Sequence, residues 1–234
     1  MLAAHMTWEE YRDVITENLI ILPVGSLEQH GPHLPLNVDV VIPSSLAKMV
    51  AEKTDAIVLP AIAYGYKSHP TSGGGQLFPG TTSLNGTTLI NLMLDILRET
   101  YRHGGRDFLM LNGHYENIAF VNEAVEIFAH EVDDAKVVTL CWWDLVSEEL
   151  VDEVFAEAGF PGWDTEHAAI TETSLMQYLR QNWFGRIRSL MIRVNVNQHI
   201  PFSRRQQTLF QNLVCFTKRL TLHVKKGRNW QKRL

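Results

Sequence analysis

Cysteine is nearly missing from this sequence. Cys141 and Cys215 are the only two, which excludes a disulfide framework and is compatible with a reducing cytoplasm. Long apolar runs are missing as well. No stretch of 18 apolar residues could span a bilayer, and the opening six residues are too short and too weakly apolar for a secretory signal. The expectation is a cytoplasmic protein with no membrane partner. The pattern Gly-x-x-x-x-Gly-Lys-Ser/Thr is also missing, so the Gly-rich stretch 64–86 is not read as a P-loop. The most unusual absence is of acid. All 26 Asp and Glu residues lie within residues 1–172, with 8 of the 21 Lys and Arg. The 62 residues that follow carry the other 13 basic residues and no acid.

What is present reads as one α/β domain. The 234 residues are enough for a sizeable core. Short apolar runs at 19–22, 56–60, 108–111 and 135–141 predict buried strands. Helical spacing of apolar residues predicts helices over 44–53, 87–103, 117–130, 147–158 and 168–179. Thr7-Trp-Glu-Glu10 fits a helix N-cap with Glu at the third position, predicting a first helix to about Thr16. Strand–helix alternation of this kind implies a mostly parallel sheet flanked by helices on both faces.

Two strand ends carry metal-ligand chemistry. After the strand at 19–22 come Glu28, His30, His33 and Asp39 within twelve residues. Glu28 and His30, two apart on an extended chain, point to one side, and Gly31, Pro32 and Pro35 then turn the backbone. The strand at 108–111 likewise ends in a Gly followed by His114 and Glu116, again two apart. Carboxylate oxygens and imidazole nitrogens suit zinc, manganese and similar divalent ions. Glu28, His30, Asp39, His114 and Glu116 exceed the three protein ligands that one catalytic zinc normally takes. Five suit a two-metal site in which one carboxylate, Asp39, bridges the ions.

These residues also carry a resemblance. Glu28-Gln-His-Gly-Pro-His-Leu-Pro with Asp39, followed by Asn112-Gly-His-Tyr-Glu-Asn117, resembles the creatininase family of metal-dependent amidohydrolases. Further matching segments are Tyr64-Gly-Tyr-Lys-Ser, Ser72-Gly-Gly-Gly, Phe78-Pro-Gly-Thr-Thr-Ser83, Trp143-Asp144, Gly162-Trp-Asp-Thr-Glu-His-Ala and Glu172-Thr-Ser-Leu. The Tyr115-Glu116 pair, where many relatives have Gly-Gly, favours the creatininase branch over deformylase or peptidase-like ones.

The resemblance implies a three-layer sandwich and two divalent ions per chain, zinc or manganese or both. Glu28, Asp39 and His114 would hold one ion; His30, Asp39 and Glu116 would hold the other. It implies hydrolysis of a small cyclic amide, creatinine to creatine and back, by attack of a water held between the ions. His167 is the expected general acid, oriented by Glu172 or Glu166. Trp143 and Trp163 would wall a flat, guanidinium-like ring. Ser72, Tyr115 and Asp164 would meet the substrate's polar edge. Trp142 is read as core. His33 is either a support for the ligands or purely structural. His69, His103 and His130 are read as exposed and without a role. The resemblance further implies a homohexamer.

From about residue 181 the resemblance stops, dividing the chain into a creatininase-like domain, 1–180, and a basic segment, 181–234. Loss of every acid together with dense Gln, Arg and Lys is what translation from a shifted reading frame would produce. Arg204-Arg205 and Lys218-Arg219 stand near Phe202, Phe210 and Phe216, but no nucleic-acid motif accompanies them. Nucleic acid is therefore not an expected partner. The alternatives carried forward are a sister amidohydrolase or deformylase acting on another small amide, and an inactive homologue whose basic segment binds nucleic acid.

Overall fold

A computed structural model describes residues 1–180; the basic segment 181–234 lies outside the described residues. Four strands, β1 (Ile20–Val24), β2 (Ile57–Val58), β3 (Asp107–Asn112) and β4 (Lys136–Cys141), form a parallel sheet in the order β2-β1-β3-β4. Between and around them run α1 (Trp8–Val14), α2 (Val38–Thr54), α3 (Gly86–Arg102), α4 (Ile118–Glu131), α5 (Glu148–Val154) and α6 (Ile170–Leu179). Thr7 caps α1 through a reciprocal bond with Glu10, as its sequence predicts.

The two-residue period of the strands sorts the core into two halves. Ile21, Leu109 and Leu111 face α2 and α6, packing with Val38, Ile42, Leu46, Leu175 and Met176. Ile20, Leu22, Phe108 and Met110 face α3 and α4, packing with Leu89, Met93, Leu97, Val121 and Phe128. Both faces are covered, which is why these strands read as continuous apolar runs rather than alternating ones. The result is the three-layer α/β arrangement that the sequence implies. No helix among the described residues is long and apolar enough to cross a membrane.

Two prolines occupy positions that local rules disfavour. Pro23 lies in β1, an interior strand. Its carbonyl accepts from Ile62 N at 3.0 Å, so its missing N–H faces the side where β2, paired only to Ile20 and Ile21, has already ended. Pro43 lies inside α2, which begins at Val38 rather than at Ser44. The predicted helix start was too late because Pro43 reads as a boundary. It stands early enough to forfeit one bond only, that to the Asp39 carbonyl.

Candidate active site

The carboxyl edge of the sheet is where open α/β folds place their chemistry, and three segments converge there. The exit of β1 brings Glu28 and His30, the first turn of α2 brings Asp39, and the exit of β3 brings His114. None of the four is more than 4% exposed, so their charges must be answered within the protein.

Asp39 reaches the cluster because the backbone makes room for it. A Cβ at either Gly25 or Gly113 would collide with the Asp39 carbonyl oxygen. The start of α2 thus wedges between the ends of β1 and β3, with the Asp39 carbonyl, to which Pro43 has no N–H to offer, lying against the two glycines. Two buried asparagines lock this junction. Asn117 Nδ2 donates to Gly25 O at 3.0 Å and to Asn112 Oδ1 at 3.3 Å. Its own Oδ1 accepts from Tyr66 N at 2.8 Å. Asn112 Nδ2 donates to His114 O at 2.7 Å. The Asn-Gly-His-Tyr-Glu-Asn stretch contains both, yet nothing in their spacing reveals that they brace the site.

Each buried imidazole has one nitrogen committed to a carbonyl. His114 Nε2 lies 3.1 Å from Tyr66 O, and His30 Nδ1 lies 3.1 Å from Glu28 O. A carbonyl can only accept, so those nitrogens carry the hydrogens. The opposite nitrogens face carboxylates. His114 Nδ1 is 3.2 Å from both Glu28 Oε2 and Asp39 Oδ2. His30 Nε2 is 3.1 Å from Asp39 Oδ1 and 3.6 Å from Glu172 Oε1. Asp39 thus presents one oxygen to each imidazole. Glu28 Oε2, Asp39 Oδ2 and His30 Nε2 are buried without a hydrogen-bond partner.

Lone pairs turned on one another in this way call for positive charge between them. Without ions, protons supply it. Burial pulls the His114 pKa down, but the hydrogen bonds and charges of Asp39 and Glu28 prevail and carry it to about 10. His30 is likewise raised well above its usual value, the charges of Asp39 and Glu172 overcoming burial. Glu28 and Asp39 are both held low, since the neighbouring imidazoles overcome the effect of burial. The donor set, the committed tautomers and the orphaned oxygens fit divalent cations. Ligand atoms fall into two groups within 4.8 Å, Glu28 with Asp39 and His114, and His30 with His167 and Glu172.

The second group differs from the expected one. Glu116 lines the same cleft, but its Oε1 accepts from Ser72 Oγ and, at 3.0 Å, from His69 N. Its Oε2 lies 3.4 Å from His114 Nε2, the nitrogen turned away from Asp39. Ser72 therefore holds Glu116 here, while His30 meets Glu172. Nor do the hydrogen bonds of His167 run to an acid. Its Nε2 is 2.8 Å from Gln29 O and 3.2 Å from Gln29 Nε2. Glu172 instead accepts from Ala168 N, and Glu166 accepts from Thr171 N at 2.9 Å. Burial, then the charge of Glu172, pushes Glu166 up to about 7. His33 bonds Thr173 Oγ1 at 3.0 Å, tying the ligand loop to α6.

Over the cluster opens a cleft lined by Asp39 and His114 among others. Trp143 and Trp163 line it, and Tyr115 stacks on Trp143 at 6.2 Å. Trp142, 2% exposed, stands edge-on to both at 5.5 and 5.8 Å. It is the buried post against which the two wall residues lean. Asp164 and Ser72 also line the cleft. Cys141 supplies no nucleophile, because burial pushes its thiol up to about 12.

Known proteins resemble this chain in sequence and in overall fold. The creatininase family model, described as creatinine amidohydrolase, matches residues 4–193. Creatinine amidohydrolase of Pseudomonas putida is 47% identical over 178 residues, covering 73% of this chain and 68% of that one. The 3-dehydro-scyllo-inosose hydrolase of Thermotoga maritima is 30% identical over 187 residues, 76% of this chain and 57% of that one. Solved creatininases, including a manganese form and a Glu→Gln mutant both in a zinc–zinc form and in complex with creatine, superpose with a TM-score of 0.74 at 43–44% identity. Each covers 77% of this chain and 73% of the other. A further creatinine amidohydrolase structure reaches 0.83 at 34% identity, covering 97% of this chain and 98% of that one.

Proposed function

The chain belongs to the creatininase family, and from that premise we propose that it is a two-metal amidohydrolase that opens creatinine to creatine and closes it again. The observation that carries this reading is Asp39. Its two carboxylate oxygens are turned onto two different imidazoles, each of which donates the hydrogen of its far nitrogen to a backbone carbonyl.

Glu28, Asp39 and His114 would hold one ion, and Asp39 with His30 would begin the second set. Two bound divalent ions would supply acidification of a water and polarisation of the amide carbonyl. Everything else falls to side chains. Trp143 and Trp163 give a flat ring two apolar surfaces, and Tyr115, Ser72 and Asp164 offer polar groups to its edge. His167 is the proposed mover of the leaving nitrogen's proton at Nε2, which lies 3.7 Å from Glu28 Oε1 at the edge of the cluster.

The remaining ligand for His30's ion has two candidates. Resemblance favours Glu116; the 3.6 Å approach of Glu172 to His30 favours Glu172. Metal analysis of Glu116→Gln and Glu172→Gln separates them. The true ligand's variant should fall from two ions per chain to one and lose nearly all turnover. Creatinine is the finer part of the proposal, since the family includes a relative named for another substrate. Purified protein supplemented with zinc or manganese should hydrolyse creatinine; two bound ions with no turnover would sink creatinine as the substrate. Cytoplasmic location and a homohexamer are proposed on the resemblance alone, and light scattering checks the latter.

A further inference from the structure

We propose that Ser68 is a positioning residue that makes Glu28 a one-oxygen ligand and couples it to closure of the Gly-rich loop. The inference rests on the two-metal reading above but concerns a residue to which that reading gives no part.

Ser68 is 5% exposed. Its Oγ accepts from Gly75 N at 2.9 Å and donates to Glu28 Oε1 in a short hydrogen bond. The direction is fixed, because a hydroxyl whose lone pair is taken by an amide has its own hydrogen free for the carboxylate. Glu28 is thereby divided. Oε1 is occupied by Ser68, and Oε2 alone, without a hydrogen bond, points at the space shared with Asp39 and His114. A carboxylate with both oxygens free can chelate; one with an oxygen tied down offers a single contact.

Gly74 completes the device. A Cβ there would overlap both Ser68 Oγ and Glu28 Oε1. The loop backbone therefore lies directly on the serine–carboxylate pair, and the run of glycines is needed for contact rather than for flexibility alone. Ser72, four residues after Ser68, donates to Glu116, so the same loop grips a carboxylate at each end of the site.

Titration of the metal-free protein with Co(II) tests this. Ser68→Ala should bind at this site about ten- to hundredfold more weakly than wild type. It should also absorb more weakly in the visible, since a freed Glu28 can add its second oxygen and raise the coordination number. Ser68→Thr keeps the hydroxyl and should restore both properties. Affinity within about threefold of wild type and an unchanged spectrum in Ser68→Ala would overturn the inference while leaving the two-metal reading intact. Wild type that takes up no Co(II) would remove that reading and this inference with it. A measurement on wild type alone covers failure of Ser68→Ala to fold. Co(II) should slow hydrogen exchange at the Gly75 amide, through Glu28 and Ser68; unchanged exchange there would overturn the coupling.

Discussion

At the scale of single residues, the site is a contest between protons and cations for the same lone pairs. In the metal-free protein His114 titrates at about 10 rather than 6.5, so at neutral pH an incoming ion must displace a proton. Affinity for zinc should therefore rise about tenfold per pH unit between about 7 and 9 for the one proton displaced; isothermal titration in buffers of different protonation enthalpy measures that release directly. The same groups set the stability of the metal-free protein. His114's folded value is raised, so its contribution is complete below 6.5 and is lost as pH climbs through about 10. Glu28's folded value is lowered, so its contribution is present above 4.5 and is lost as pH falls. Urea midpoints of chelated protein should thus be highest between about 4.5 and 6.5 and decline on both sides. In His114→Asn the alkaline decline should become shallower, leaving the share of His30, whose folded value is also raised; a decline of unchanged steepness would show that His114 contributes nothing to it.

At the scale of elements, the decisive contact is the start of α2 seated between β1 and β3. Gly113→Ala would drive a methyl into the Asp39 carbonyl and against Pro43. Neither neighbour is a flexible side-chain end, so α2 must shift, at a cost of about 1–3 kcal/mol, and Asp39 moves with it. Chemical denaturation should report that loss, and metal stoichiometry should fall below wild type even where the variant folds. The aromatic pair Trp142 and Trp143 should behave differently at its two positions. Trp142→Ala removes a fully buried post and should destabilise by about 3–5 kcal/mol. Trp143→Ala, at the cleft surface, should leave metal content unchanged while raising the KM for creatinine. Equal stability losses at the two sites would contradict the division of the pair into post and wall. The sequence distinguishes these roles only partly. The run Trp142-Trp143 shows two large aromatics at a strand exit, and the resemblance marks Trp143 as functional. That Trp142 stands between Trp143 and Trp163, twenty residues on, depends on how the segment after α5 returns.

At the scale of the whole molecule, strand identity, the parallel sheet and helices on both faces were legible because uninterrupted apolar runs and 3.6-residue spacing each have one economical reading. The candidate cluster of Glu28, His30, Asp39 and His114 was legible because their residue types are costly to bury without a reason. Ser68, Gln29, Asn112 and Asn117 were not, since ordinary polar residues acquire their roles only when distant segments meet: Ser68 reaches Glu28 across 40 positions and Asn117 reaches Gly25 across 92. That long-range convergence has a thermodynamic consequence. The proposed ligands come from the exits of β1 and β3, the start of α2 and, for Glu172, α6, so a bound ion cross-links elements that would otherwise be held at this edge by hydrogen bonds and packing. Binding to the folded state alone stabilises by RT ln(1 + [L]/Kd), about 2.7 kcal/mol at a hundredfold excess over Kd for one site. Two sites sharing Asp39 should give up to about twice that, less whatever the shared carboxylate costs the second ion. Thermal unfolding should accordingly shift upward with zinc concentration and fall on chelation. The gain should shrink to that of a single site in whichever of Glu116→Gln and Glu172→Gln removes an ion. A midpoint independent of zinc would mean that the converging carboxylates and imidazoles are held together by protons alone.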